Sequence, residues 1–209
     1  MRISRINAEG FTVLHIHEDE ADLVETLVAQ LVSLYRDYST GEPDPDPLLA
    51  SLDLGGASSA PADPALARLL PDAYEDDTLA SEFRQTSERG IVNRKIQDAD
   101  NVLALLGAAR LDGIDQFLPD EETTLTHDDL PAFGSDTDSR VLSVPLDEHG
   151  FLSWVKTLTA MRLALAARLA IDTENDLERE PLDDMEANTR AVYDWLAEFT
   201  EALLSAQRS

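Results

Sequence analysis

The residues predict a mainly α (α+β) fold: a bundle of about five helices with a small N-terminal β-hairpin and two acidic irregular loops. Three observations carry that expectation. Apolar residues recur at helical intervals over four long stretches. Strand-like alternation runs over residues 2–17. Pro, Gly, Ser and Asp gather in two segments, 40–63 and 111–147, read as irregular or partly disordered. At 209 residues the chain suits a single domain spanning 1–209.

The first element is the hairpin. Ile3 and Ile6 precede a polar "NAEG" tip, and Phe11, Val13, Leu14 and Ile16 follow it, with Glu9-Gly10 in the turn. The helix 18–38 comes next. Leu23, Leu27, Leu31, Leu34 and Tyr38 form its stripe, and Val24, Val28 and Tyr35 widen it. Glu18, Asp19 and Glu20 suit the positive end of its dipole. Asp63-Pro64 opens a short helix through Leu70. Leu79, Phe83, Val92, Ile96, Ala99, Leu103 and Leu106 carry helical spacing through 78–106. Within the second irregular segment, "RVLSVPL" reads as a short strand able to join the hairpin.

The C-terminal third is the most regular. Phe151, Trp154, Leu158, Met161, Leu165 and Leu169 share one face. Val192, Leu196, Phe199 and Leu203 share another. Thr173 with Asp176 is a capping pair, and Pro181 marks a break. Two such neighbours pack as an antiparallel pair and, with Leu23–Tyr38, supply the core. The same faces would also serve as a homodimer seam.

Composition excludes several function classes. There is no cysteine, so disulfides, thiolate zinc, iron–sulfur clusters and thiol redox switching are ruled out. Acids outnumber bases 42 to 16 and the net charge is −26, a field that repels phosphate and favours basic protein partners. No apolar run approaches a membrane span, and "MRISRINAEGF" lacks the apolar centre of a signal peptide. A cytoplasmic protein is expected.

Few residues are suited to catalysis. His15 and His17 point the same way on a strand, and with Glu18 or Asp19 they would form part of a metal site. A solvated strand face is the simpler use of such a pair. His127 and His149 have no recognisable second member. The motifs H-E-x-x-H, G-x-S-x-G and Walker A are absent. No cofactor is expected, and an enzyme built around the N-terminal histidines is the weakest of the functional alternatives.

The distinctive stretch is "EFRQTSERGIVNRKIQDADNVLALL", Glu82 to Leu106. Between Arg84 and Lys95 it sets Arg84, Arg89, Arg94 and Lys95 against a single acid, Glu88, in a strongly acidic chain. One reading is a helix-turn-helix with helices at Thr78–Arg89 and beyond Gly90. Asn93, Arg94, Lys95 and Gln97 would then offer side chains for base edges. Thr86 stands where tight helix packing favours alanine, and Asp98 and Asp100 would face phosphate. The other reading is structural. Arg84, Glu88 and Lys95 share a helix side, and Arg84–Glu88 would be worth a few tenths of a kcal/mol as a surface pair. Arg89 and Arg94 point about 140° apart. The four bases then pair with acids of neighbouring segments or dock a protein, and Gly90 is a kink or cap.

"RLLPDAYEDDTLASEFRQTSERGIVNRKIQDADNVLALL", "VKTLTAMRLALAARLAI" and "VYDWLAEFTEALL" resemble the three conserved blocks of an uncharacterised actinobacterial family catalogued as a domain of unknown function. The resemblance spans nearly the whole chain. It implies kinship with an oxidative-stress-responsive transcriptional regulator described as sensing oxidation through a cysteine pair and engaging a sigma factor. With no cysteine here, that sensing chemistry cannot operate. The expectation is therefore a non-enzymatic regulatory or adaptor protein that binds another protein, with the transcription machinery as one candidate. The alternative is a DNA-binding regulator using 78–106.

Overall fold

The computed structural model describes residues 2–6, 11–39, 59–111 and 140–208. The fold is mainly α with a small antiparallel sheet, as the residue pattern predicts. Strand β1 (Arg2–Ile6) pairs with β2 (Phe11–His17), setting Ile3 opposite Leu14 and Ile6 opposite Phe11. The turn expected at Glu9-Gly10 lies outside the described residues.

"RVLSVPL" does form a strand. β3 (Val141–Leu146) pairs with the other edge of β2, so Leu14 faces Val144 and Ile16 faces Leu142. The hairpin is thereby one part of a three-stranded sheet in the order β1-β2-β3. A lone two-stranded hairpin is marginal in water, and the third strand adds a continuous apolar face. Leu14, Ile16, Leu142, Val144 and Leu146 bury that face in the core. The rest of the segments 40–63 and 111–147 is outside the described residues, apart from 59–63, Leu111 and the stretch 140–147 around this strand.

Helix α1 (Glu18–Ser39) follows β2 directly. Its first turn carries Glu18, Asp19 and Glu20, and Glu20 accepts the His17 backbone N–H at 3.0 Å. Its buried face is not centred where the leucine spacing suggests. Val24, Val28, Val32 and Tyr35 are fully covered along with Ala21 and Leu31, whereas Leu23, Leu27, Leu34 and Tyr38 are only partly buried.

Helix α2 (Pro64–Leu69) starts at the expected place. Asp63 caps it through the Ala65 and Leu66 N–H groups at 2.8 and 3.0 Å. Helix α3 (Asp77–Phe83) is capped by Asp76. It runs through a five-residue π turn, Arg84–Glu88, into α4 (Arg89–Leu111). Helix α5 (Glu148–Arg168) is capped by Asp147, whose carboxylate accepts from Gly150 N–H at 2.6 Å. A short α6 (Glu174–Leu177) carries the predicted Thr173/Asp176 capping box, and α7 (Asp184–Arg208) closes the fold.

α5 and α7 are antiparallel. Trp154 lies against Phe199 with ring centroids 5.6 Å apart, while Arg162, further along α5, sits over the Tyr193 ring at 4.9 Å. Their apolar faces are spent on the core. One expectation needs correction: α1 and the C-terminal pair do not form the core by themselves. α4 packs on both α1 and α5, so the helix bearing the basic stretch is also part of the core. Its Val92, Ala99, Val102 and Leu106 are buried.

Candidate functional site

The basic stretch is built on the helical run 77–111. No turn separates two helices at Gly90. The flanking Arg89 is right-handed helical, and a Cβ on Gly90 would meet only the Arg94 guanidinium, at 3.9 Å. Gly90 is thus neither the turn of a helix-turn-helix nor a kink or cap. The local irregularity is the π turn just before it, a feature that often marks functional positions.

That π turn places two charges in the interior. Arg84 is 3% exposed and Glu88 4%. Arg84 Nη1 donates to Glu88 Oε2 at 2.6 Å, and Nη2 donates to Asp72 Oδ1 on the segment between α2 and α3. Glu88 Oε1 accepts the Tyr38 hydroxyl at 2.5 Å, tying the end of α1 to the start of α4. Burial by itself would depress the Arg84 pKa. The Asp72 hydrogen bond and the Glu88 carboxylate outweigh burial and hold it above its ordinary value. Burial, then the Glu88 hydrogen bond, push the Tyr38 hydroxyl well above its ordinary range. The predicted Arg84–Glu88 pair therefore exists, but as a buried pair whose partners cannot be removed singly without large cost, not as a surface pair.

The other three bases diverge. Arg89 is half-buried and donates to the Ser39 carbonyl at 3.3 Å, at the C-terminal end of α1 where a cation is favoured. Lys95 is half-buried; burial pushes its ammonium pKa down, and Asp98 partly offsets this. Arg94 is exposed, as are Asn93 and Gln97. The four bases do not make one surface. Of the four side chains proposed for base edges, Asn93, Arg94 and Gln97 face solvent and Lys95 is partly withdrawn.

Asp98 does not face outward toward phosphate. It belongs to a polar cluster between α4 and α5 that periodicity did not reveal. Ser153, fully buried, donates to Asp98 Oδ1 at 3.2 Å and accepts from Asn101 Nδ2 at 3.1 Å. Lys156 Nζ lies 3.2 Å from Asp98 Oδ2, and Asn101 Nδ2 is 3.3 Å from His149 Nδ1. Both lysines of the chain thus flank Asp98. The available signal was the matched spacing: Asp98/Asn101 on one helix, and His149/Ser153/Lys156 on the next. The Ser153 hydroxyl, sealed from solvent, has both its proton and a lone pair engaged across the interface, so the cluster clamps the two helices. Asp100, the other acid of that turn, pairs with Arg36 at 3.2 Å.

Among the described residues no third ligand joins the N-terminal histidines to complete a metal centre. His15 is buried, with Nδ1 3.0 Å from Ser143 Oγ on β3, so it is not on a solvated face; His17 is half-buried. Among the described residues no three His, Cys, Asp or Glu side chains are grouped to hold a metal. His127 lies outside the described residues.

Elsewhere the arginines are turned onto the protein's own acids. Arg110 gathers Asp22 at 2.5 Å, Glu25 at 3.2 Å and Glu18 at 3.4 Å. Arg168 pairs with Asp63 at 2.7 Å, Arg68 with Asp172, and Arg179 with Glu186. Among the described residues no helix is long and apolar enough to cross a membrane. No curated protein and no solved structure matches the chain. A family model does, over residues 1–207: the chain belongs to the family described as Domain of unknown function (DUF2017).

Proposed function

We propose that the chain is a non-enzymatic regulatory or adaptor protein that works through contacts with a basic protein partner. The observation that carries this reading is the distribution of charge. Arg36, Arg68, Arg84, Arg110, Arg168 and Arg179 are each paired with acids of the same chain. With these six cations paired internally, a chain of net charge −26 presents its carboxylate surplus to solvent. Such a surface steers basic proteins and repels nucleic acid. The resemblance to actinobacterial regulators makes the transcription machinery one candidate source of the partner, in the cytoplasm. Any signal must be sensed without a thiol.

Affinity capture on the immobilised full-length chain, at about 0.1 M and about 0.5 M salt, tests the reading. The expected result is a basic protein retained at low salt and released at high salt. Recovery of nucleic acid in its place would favour a DNA-binding regulator using Asn93, Arg94 and Gln97. Absence of any salt-sensitive partner, with basic proteins present, would remove the reading.

A further inference from the structure

The connection between α5 and α7 together with the first turn of α7, residues 169–185, is tied down at many points, yet it holds Leu177, Leu182 and Met185 in water. Asp176 accepts the Asp172 and Thr173 N–H groups at 3.0 and 2.7 Å. Glu186 accepts the Leu182 N–H at 2.7 Å and pairs with Arg179. The Arg190 guanidinium donates to the carbonyls of Asp176 and Arg179 from the first turns of α7. Ile171 and Leu169 anchor the start of the connection in a small apolar cluster with Tyr193.

On this fixed frame Leu182 is 83% exposed, Met185 75% and Leu177 44%. The three lie close together along the chain; clustered exposed apolar residues mark interaction sites more often than scattered ones do, and a frame held rigid before binding loses little entropy on docking. Met is suited to such a surface because its thioether adapts to different partners. Glu178, Glu180 and Asp184 stand exposed beside these residues and enter no ion pair among the described residues. The nearby cations Arg179 and Arg190 are already committed to Glu186 and to backbone carbonyls. The apolar surface therefore lies in a net negative field. A second copy of this chain would bring the same charge against it; a basic segment would not.

We propose that Leu177, Leu182 and Met185 form a docking surface for a basic amphipathic helix of a partner protein, whose apolar side chains meet these three while its Lys and Arg residues meet Glu178, Glu180 and Asp184. This rests on the adaptor reading and names the surface that would serve it.

The test is a titration of the full chain with a labelled amphipathic Leu/Lys helical peptide, compared with a Ser/Lys peptide of the same length and charge. Leu182→Ser/Met185→Ser is the test variant, and Leu152→Ser/Leu163→Ser, changed at exposed leucines of α5, is the control. The expected result is that the test variant binds the Leu/Lys peptide about ten-fold more weakly than wild type while the control stays within about two-fold. An unchanged circular dichroism melting curve for the test variant accompanies this result. Equal binding by both variants, or equal binding of the two peptides, overturns the docking surface but leaves the acidic adaptor reading standing. Failure of the wild type to bind either peptide overturns both. A concentration-dependent dimer in sedimentation that Leu182→Ser/Met185→Ser abolishes would assign the surface to a second copy and overturn the proposed partner.

Discussion

Arg84 and Glu88 stand four residues apart and meet at 2.6 Å with both side chains sealed from solvent. The pair is fully committed: Arg84 also reaches Asp72, and Glu88 also receives the Tyr38 hydroxyl. One contact thus joins the end of α1, the start of α4 and the segment ahead of α3. Arg84→Met should destabilise the fold by about 3–5 kcal/mol, because it strands a buried carboxylate. Arg84→Met/Glu88→Leu should recover most of that loss, because an apolar pair avoids desolvating two charges. Urea unfolding checks both; a single variant costing under about 1 kcal/mol would show that the site admits water.

Tyr38→Phe removes the hydroxyl that completes Glu88. A loss of about 1.5 kcal/mol is expected, the scale of a hydrogen bond to a charged acceptor. The pH dependence follows from the direction of the shift. Burial and then Glu88 raise the Tyr38 pKa above its ordinary value near 10, so the folded chain holds that proton more tightly than the unfolded one. The stabilisation is complete below pH 10 and is lost as pH rises beyond it. Tyr35, raised by burial, acts in the same direction. Unfolding measured between pH 9 and 11.5 should therefore show falling stability, with a shallower slope in Tyr38→Phe.

Lys95 behaves oppositely. Burial lowers its pKa, so the folded chain binds its proton less tightly than the unfolded one. Stability from this group rises as pH climbs toward 10.5, the ordinary lysine value. Lys95→Met should be more stable than wild type at neutral pH, and the advantage should shrink as pH approaches that value. Asp98→Ala should do the reverse at Lys95, lowering its pKa further by removing the offsetting charge. Heteronuclear NMR titration of the two lysines reads this directly; an unmoved Lys95 in Asp98→Ala would show that the carboxylate does not act on it.

Ala170 closes α5 in a left-handed conformation, with φ of 51°. Ile171 N–H returns to the Ala166 carbonyl at 2.9 Å across this residue. A Cβ is disfavoured there, and glycine avoids the clash. Ala170→Gly should stabilise by about 0.5–1 kcal/mol, less than the full left-handed penalty because glycine is also more flexible when unfolded. Ala170→Val should destabilise. A thermal melt ranking Gly below Ala would overturn this account.

Much of the fold is legible in the residues. The Leu14/Ile16 alternation, the caps at Asp63 and Thr173, and the faces of α5 and α7 all depend on short-range periodicity and local hydrogen bonding. Candidate sites are harder. Arg84, Arg89, Arg94 and Lys95 look alike on paper, yet one is buried in an ion pair, one caps α1, one is exposed and one is partly desolvated. Asp98, which looks like a repulsive surface acid, clamps Ser153 and Lys156. Leu182 and Met185 stand outside the Val192, Leu196, Phe199 and Leu203 stripe read from the sequence, and the fold leaves them in water.

By itself the sequence determined the helical class, the strand beside the hairpin, the acidic field and the exclusion of thiol chemistry. These follow from composition and from intervals of two to four residues, which any neighbouring structure must respect. Only the tertiary structure decided that α4 joins the core against α1 and α5, that Gly90 is not a turn and that the charges of Arg84 and Glu88 lie inside. The reason is physical. A charge is pulled inward or left outside by what is packed opposite it, and the partners here, Asp72 and Tyr38, come from segments 12 and 50 residues away along the chain.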